Sequence, residues 1–94
     1  MTYTIKKTTR FKKEFKLCIR RGNKIEKFCE VLNLLKNGLS LPSKYQDHSL
    51  QSSKLFKNCR ELHIEPDWVL VYKYSKDNLI LWLVGTGTHS DLFR

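Results

Sequence analysis

Three histidines, His48, His63 and His89, all fall in the second half of a 94-residue sequence. Each stands beside a carboxylate or a small hydroxyl: Gln46-Asp47-His48-Ser49, His63-Ile64-Glu65-Pro66-Asp67-Trp68 and Gly87-Thr88-His89-Ser90-Asp91. Imidazole both takes and gives a proton near neutrality, its free pKa being roughly 6.5. Three such rings with Asp67, gathered on a basic surface, would suit acid-base cleavage of RNA. Taken singly, each histidine reads as an ordinary surface or hydrogen-bonded residue, so the chemistry depends on whether the fold gathers them.

The elements that must do the gathering are legible in the apolar spacing. Tyr3 and Ile5 alternate with threonines as a short first strand. From Thr8 to Arg21, Phe11, Phe15, Cys18 and Ile19 step by three and four between lysines, which predicts an amphipathic helix closed by Gly22-Asn23. Ile25, Phe28, Leu32 and Leu35 predict a second helix ending at Asn37-Gly38, and the two pack as a hairpin on a sheet. Residues 38–58 lack sustained periodicity and form a long loop of the kind that often carries function. Arg60 to Ile64, Trp68 to Tyr74 and Leu79 to Val84 then read as strands joined by short turns at Glu65-Pro66-Asp67 and Ser75-Lys76-Asp77-Asn78. The expected fold class is α+β, in the order β-α-α-β-β-β, with a mainly antiparallel twisted sheet and a single domain over 1–94.

That topology brings the candidates together. The turn at Pro66 puts His63 and Asp67 on adjoining strand ends, where the carboxylate could orient the ring. If Leu62 and Ile64 face the core, Glu61 and His63 face the other way, toward solvent or a cleft. An antiparallel meander returns Gly85-Thr86-Gly87-Thr88-His89 to the same edge, and the loop carrying Asp47-His48 is long enough to reach it.

Composition narrows the partners. The chain holds 18 Lys plus Arg against 9 Asp plus Glu, a net charge of +9, and residues 1–37 carry 11 basic against 3 acidic groups. A field of this sign draws phosphate backbones, acidic proteins or anionic membrane, and the lysine-rich helix faces of Lys12, Lys13, Lys16 and Lys24 would hold RNA without reading its sequence. The N-terminus shows no secretory pattern, and the longest apolar run, Leu79 to Val84, is far short of a membrane span, so a soluble, cytoplasmic chain with no membrane partner is expected. Cys18, Cys29 and Cys59 have no Cys-x-x-Cys spacing and read as small buried thiols. Three histidines and Asp67 are competent zinc ligands, but they lack the fixed local spacing of a metal motif. Neither a phosphate-binding Gly-x-x-x-x-Gly-Lys loop nor a Gly-x-Ser-x-Gly elbow occurs, so no metal and no cofactor is expected.

Three stretches carry a resemblance: Tyr45-Gln46-Asp47-His48-Ser49-Leu50, Arg60-Glu61-Leu62-His63-Ile64-Glu65-Pro66-Asp67-Trp68-Val69-Leu70-Val71-Tyr72 and Gly87-Thr88-His89-Ser90-Asp91-Leu92-Phe93. In order and spacing, behind two helices, they resemble the YafQ branch of the RelE-like superfamily, toxins of bacterial type II toxin-antitoxin pairs. The resemblance implies a ribosome-dependent endoribonuclease that cuts messenger RNA without metal and so inhibits translation. It also implies a cognate antitoxin, acidic and dimeric with a ribbon-helix-helix DNA-binding fold, through which the pair would reach operator DNA. By position, His48, His63, Asp67 and His89 match the acid-base residues, and Trp68 and Phe93 match residues that shape the site or contact a base. The family often carries an arginine where Gly85 stands here; Lys54, Lys57, Arg60 and Arg94 are the substitutes within the chain. The expected mechanism is attack by a ribose 2′-hydroxyl on the adjacent phosphate, with His63 or His48 as base and His89 as acid. The alternative is a basic module that docks on RNA, ribosome or antitoxin and cuts nothing.

Overall fold

The computed structural model describes residues 2–50 and 54–93. The elements in chain order are β1 (Thr4–Lys7), α1 (Thr9–Arg20), α2 (Ile25–Lys36), a 3-10 turn (Ser43–Tyr45), β2 (His48–Ser49), β3 (Arg60–Glu65), β4 (Trp68–Ser75), β5 (Ile80–Gly87) and a short α3 (His89–Leu92). The strands form one sheet in the order β1-β5-β4-β3-β2. Among the described residues, only β1 runs parallel to its neighbour, with Thr4 opposite Ile80 and Lys7 opposite Leu83; the other pairings are antiparallel. The α+β order expected from the sequence holds, with two additions from the loop and tail. A two-residue strand, β2, joins the edge of β3 inside the long loop, and α3 follows β5; residues 51–53 of that loop lie outside the described residues.

Helix α1 starts where Thr8, extended at φ −73°, caps it: its hydroxyl accepts from the Phe11 amide at 3.0 Å and donates to the Val84 carbonyl at 2.8 Å. One side chain thus satisfies an orphan helix amide and fixes the helix to β5. Phe11 and Cys18 of α1 and Phe28, Val31 and Leu35 of α2 are buried, whereas Ile19 and Ile25, expected on the apolar stripes, are exposed. Cys18 and Cys59 are buried and burial pushes their thiols up, but Cys29, expected to be buried too, is exposed.

Alternation on the strands divides the sheet into two faces. Leu62 and Ile64 of β3, Trp68, Leu70 and Tyr72 of β4, and Leu81 and Leu83 of β5 join the helices in the main core. Val69 and Val71 turn to the other face, where Phe56, Cys59 and Leu92 form a second, smaller cluster. Strand β5 runs on through Gly85 and Gly87, past the expected end at Val84, because a bulge opposite Val71/Tyr72 resets the ladder and pairs Gly87 with Val69.

Candidate active site

The second face of the sheet carries the histidines, and they surround a residue that the sequence argument left out of the site. Glu61 on β3 is only 2% exposed, yet its carboxylate faces two imidazoles that are 52% and 55% exposed. Oε2 lies 2.9 Å from His48 Nε2, and Oε1 is in ion-pair contact with His89 Nε2 without hydrogen-bond alignment. A carboxylate cut off from water is costly unless charge or hydrogen bonds answer it, and here the answer comes from two rings supplied by β2 and α3. Glu61 shares strand parity with His63 and pairs directly across from His48, the two signals by which it could have been found.

His48 reaches this face because its neighbour is anchored on the other. Asp47 takes two hydrogen bonds from Arg60, Nη2 to Oδ2 at 2.8 Å and Nε to Oδ1 at 3.3 Å, and a third from the Tyr72 hydroxyl. Burial first, then the Asp47 carboxylate, raise the Tyr72 phenol far above its ordinary range, so it stays a donor. Arg60 and Tyr72 share the face of Leu62 and Leu70, so Asp47 grips the helix side while His48, one residue on, turns to Glu61. The His48 Nδ1 lies 2.8 Å from the Gln46 carbonyl, which fixes the ring plane, and Gln46 itself takes a left-handed backbone at φ 50°.

His89 is held by the turn beneath it. Thr88 and Asp91 form a reciprocal capping box, each backbone amide donating to the other's side chain at 3.0 Å, and Arg21 donates to Asp91 Oδ2 at 2.8 Å. Arg21 and the Thr88 amide together hold the Asp91 carboxyl down at about 2. Gly87 allows the turn: its φ is 154°, and a Cβ there would stand 2.9 Å from Asp91 Oδ2. His89 then stacks on His63, ring centroids 5.2 Å apart, and meets Phe93 at 5.2 Å.

Of the expected site residues, His48, His63 and His89 come together, and Phe93 packs against His89. Asp67 lies exposed in the β3–β4 turn, and the partner of His63 Nδ1 is the Pro66 carbonyl at 3.3 Å instead of that carboxylate. Trp68 cannot meet a base: it is 0% exposed in the main core, stacked on Phe28, with its Nε1 donating to Thr86 Oγ1 at 2.9 Å. Its parity with Leu70 and Tyr72 sends it to the helix side. Arg60 is likewise on the helix side and engaged by Asp47, so it does not serve the histidine face. Lys54 and Lys57 are exposed beside the second cluster, and Arg94 lies outside the described residues. Gly85 lies in close quarters, since a Cβ would stand 3.0 Å from Glu14 Oε1 and 3.5 Å, ordinary contact distance, from both Phe56 and Leu92.

The donor set has two chemical readings. Glu61, His63 and His89 each present one ligand atom within 4.8 Å of the others, a set able to hold a metal ion and different from the histidine-aspartate set weighed from sequence. The same atoms form a relay in which a sealed carboxylate orients one ring beside a second ring, one of whose nitrogens has no partner among the described residues.

The family model described as "Bacterial toxin of type II toxin-antitoxin system, YafQ" matches residues 3–94. The mRNA interferase toxin YafQ of Escherichia coli strain B is 43% identical over 84 residues, which is 88% of this chain and 87% of that protein. Among solved structures, the Escherichia coli DinJ-YafQ toxin-antitoxin complex has a chain with a TM-score of 0.86 at 37% identity, covering 100% of both chains. A metal-bound toxin from Helicobacter pylori gives a TM-score of 0.89 at 35% identity over 99% of this chain and 100% of that one. The chain is therefore a member of the YafQ family of type II toxin-antitoxin toxins.

Proposed function

We propose that this toxin is an mRNA interferase, a ribosome-dependent endoribonuclease whose nucleophile is the 2′-hydroxyl of the RNA itself and whose own chemistry is proton transfer. The observation that carries the reading is the pair of stacked rings, His63 and His89, differing in what binds them. His63 donates its Nδ1 proton to the Pro66 carbonyl, which leaves Nε2 as a lone pair and makes it the base. His89 directs Nε2 at Glu61, so Nδ1 is the atom that delivers a proton to the departing 5′-oxygen. His48, the second candidate base, has both nitrogens engaged, at Gln46 and Glu61, and serves to hold the carboxylate. The products are a 2′,3′-cyclic or 3′-phosphate and a 5′-hydroxyl. Asp67, exposed at the turn beside His63, meets the ribose once RNA is bound, and Lys54, Lys57 and Phe93 line its path. The names of the relatives support the substrate class. The complexes in which relatives were solved support a cognate antitoxin; an acidic one would match the +9 chain, and the DNA-binding function would lie with it.

The test is growth arrest with mapping of message 5′ ends after expression of the wild type, His63→Ala, His89→Ala and Asp67→Asn. Each histidine variant is expected to lose cleavage by about 100-fold or more, and Asp67→Asn to lose less while melting as the wild type does. Arrest by the wild type with intact message ends would favour the docking module that cuts nothing. A second reading, a metal-assisted nuclease, is favoured by the Glu61, His63 and His89 donor set. Cleavage that survives exhaustive chelation would exclude it; loss restored by zinc alone would replace the proton relay with it.

A further inference from the structure

We propose that Arg10, on the first turn of α1, is the residue that binds the scissile phosphate, a role that rests on the nuclease reading above. A transferred phosphoryl group gathers negative charge on its oxygens as the 2′-oxygen attacks, and a fixed donor fork at that point is worth far more than a mobile surface charge. Among the described residues, the strands supply no guanidinium to the histidine face. Gly85, the β5 residue opposite Val71, has no side chain, and Arg60 is engaged on the other side of the sheet. Arg21 is spent on Asp91.

Into the notch at Gly85 come two side chains from α1. Glu14 Oε1 accepts from the Thr86 amide at 3.2 Å, on the stretch of β5 beyond its pairing with β1. Its other oxygen, Oε2, takes the Arg10 Nε at 3.0 Å. That side-on bond leaves both terminal amino groups of Arg10 without a hydrogen-bond partner among the described residues. A second contact places the guanidinium Cζ 4.7 Å from the centroid of the Phe56 ring. Phe56 meets Phe93 edge-on at 5.5 Å, and Phe93 meets His89 at 5.2 Å. Arg10 therefore stands at the rim of the histidine face, 35% exposed, with its open fork fixed to β5 through Glu14 and to His89 through two aromatic rings. Gly85 lets Glu14 come close to β5, since a Cβ there would stand 3.0 Å from Glu14 Oε1.

Single-turnover cleavage of ribosome-bound message, with toxin concentration varied, tests this on Arg10→Met, Arg10→Lys and His89→Ala. Methionine keeps an apolar stem on Phe56 but no charge, and lysine keeps the charge without the fork. The expected result is a rate at saturation lowered on the order of 100-fold for Arg10→Met and about 10-fold for Arg10→Lys. Half-saturation should move less than threefold and the melting temperature by no more than a few degrees. Arg10→Met or Arg10→Lys cleaving within threefold of the wild type, while His89→Ala is dead, would overturn the role of Arg10 alone. A His89→Ala variant that cleaves normally would instead overturn the nuclease reading beneath it.

Discussion

The two faces of the sheet are built from alternate residues of the same strands, yet they solve burial in opposite ways. On the helix side, Trp68, Leu70 and Leu62 meet Phe11, Phe28 and Val31, and the buried polar atom of Trp68 finds Thr86. On the other side, Val69 and Val71 floor a smaller apolar patch, and beside it a carboxylate is sealed under two exposed imidazoles. The first face is closed by apolar contact and is complete. The second is closed by imidazoles whose outer edges remain open to a ligand. A residue's chemistry on β3 or β4 is thus set less by its type than by its parity, since Trp68 and Val69 differ by one position and lie on opposite faces.

The largest effect should come from breaking the closed face. Trp68→Ala is expected to cost about 3–5 kcal/mol in urea denaturation, and any loss of cleavage should follow the unfolded fraction. A stable Trp68→Ala protein with selectively weakened RNA binding would return this residue to the substrate side. Next is the sealed carboxylate. Glu61→Gln keeps the shape but removes the charge that His48 and His89 share, and cleavage should fall about 100-fold. Glutamine keeps an acceptor for one ring, and both rings are exposed enough to meet water, so thermal stability should change little, in contrast to the Trp68 result. Loss of both together would mean that the carboxylate is mainly structural. The smallest effect concerns the turn under His89. Asp91 has its carboxyl lowered from 3.8 to about 2 by Arg21 and the Thr88 amide. Its folded pKa lies below the unfolded value, so its stabilising contribution is full above pH 3.8 and is lost as pH falls toward about 2. Melting curves of the wild type and Asp91→Asn should therefore differ near neutrality and converge across that acid range. A difference that persists at pH 2 would discard the linkage.

Much of this contrast was legible in the sequence. Stripes of Phe11, Phe28 and Leu35 and the alternation in β3 and β4 marked the core, and the short turns forced a meander that brings His63 and His89 together. Other features were not legible. Strand β2 has two residues, and Asp47 just before it is gripped by Arg60 and Tyr72, partners 13 and 25 positions away with no local signature. Arg60 looked like a free cation for the same reason. Asp67 stands next to His63 across a turn, but the bulge between His63 and Glu65 gives the ring a backbone carbonyl instead. Glu61 was visible as a residue facing away from the core, and the convergence of two rings on it needed the register of β2 and the capping box at Thr88. Arg10 read as one more basic position on a helix, because nothing local ties it to Phe56, 46 positions on.

One consequence follows from the parallel pairing of β1 with β5. Strand β5 carries His89 at its exit and is flanked by β1 on one side and β4 on the other, so its two neighbours come from opposite ends of the chain. Joining Thr4 to Ile80 closes a long segment of chain before that contact returns any stability. Such non-local closure is slow, on the order of milliseconds to seconds, whereas α1 and α2 form locally and early. Regain of ribonuclease activity on refolding should accordingly lag helix recovery and keep step with the docking of the first strand.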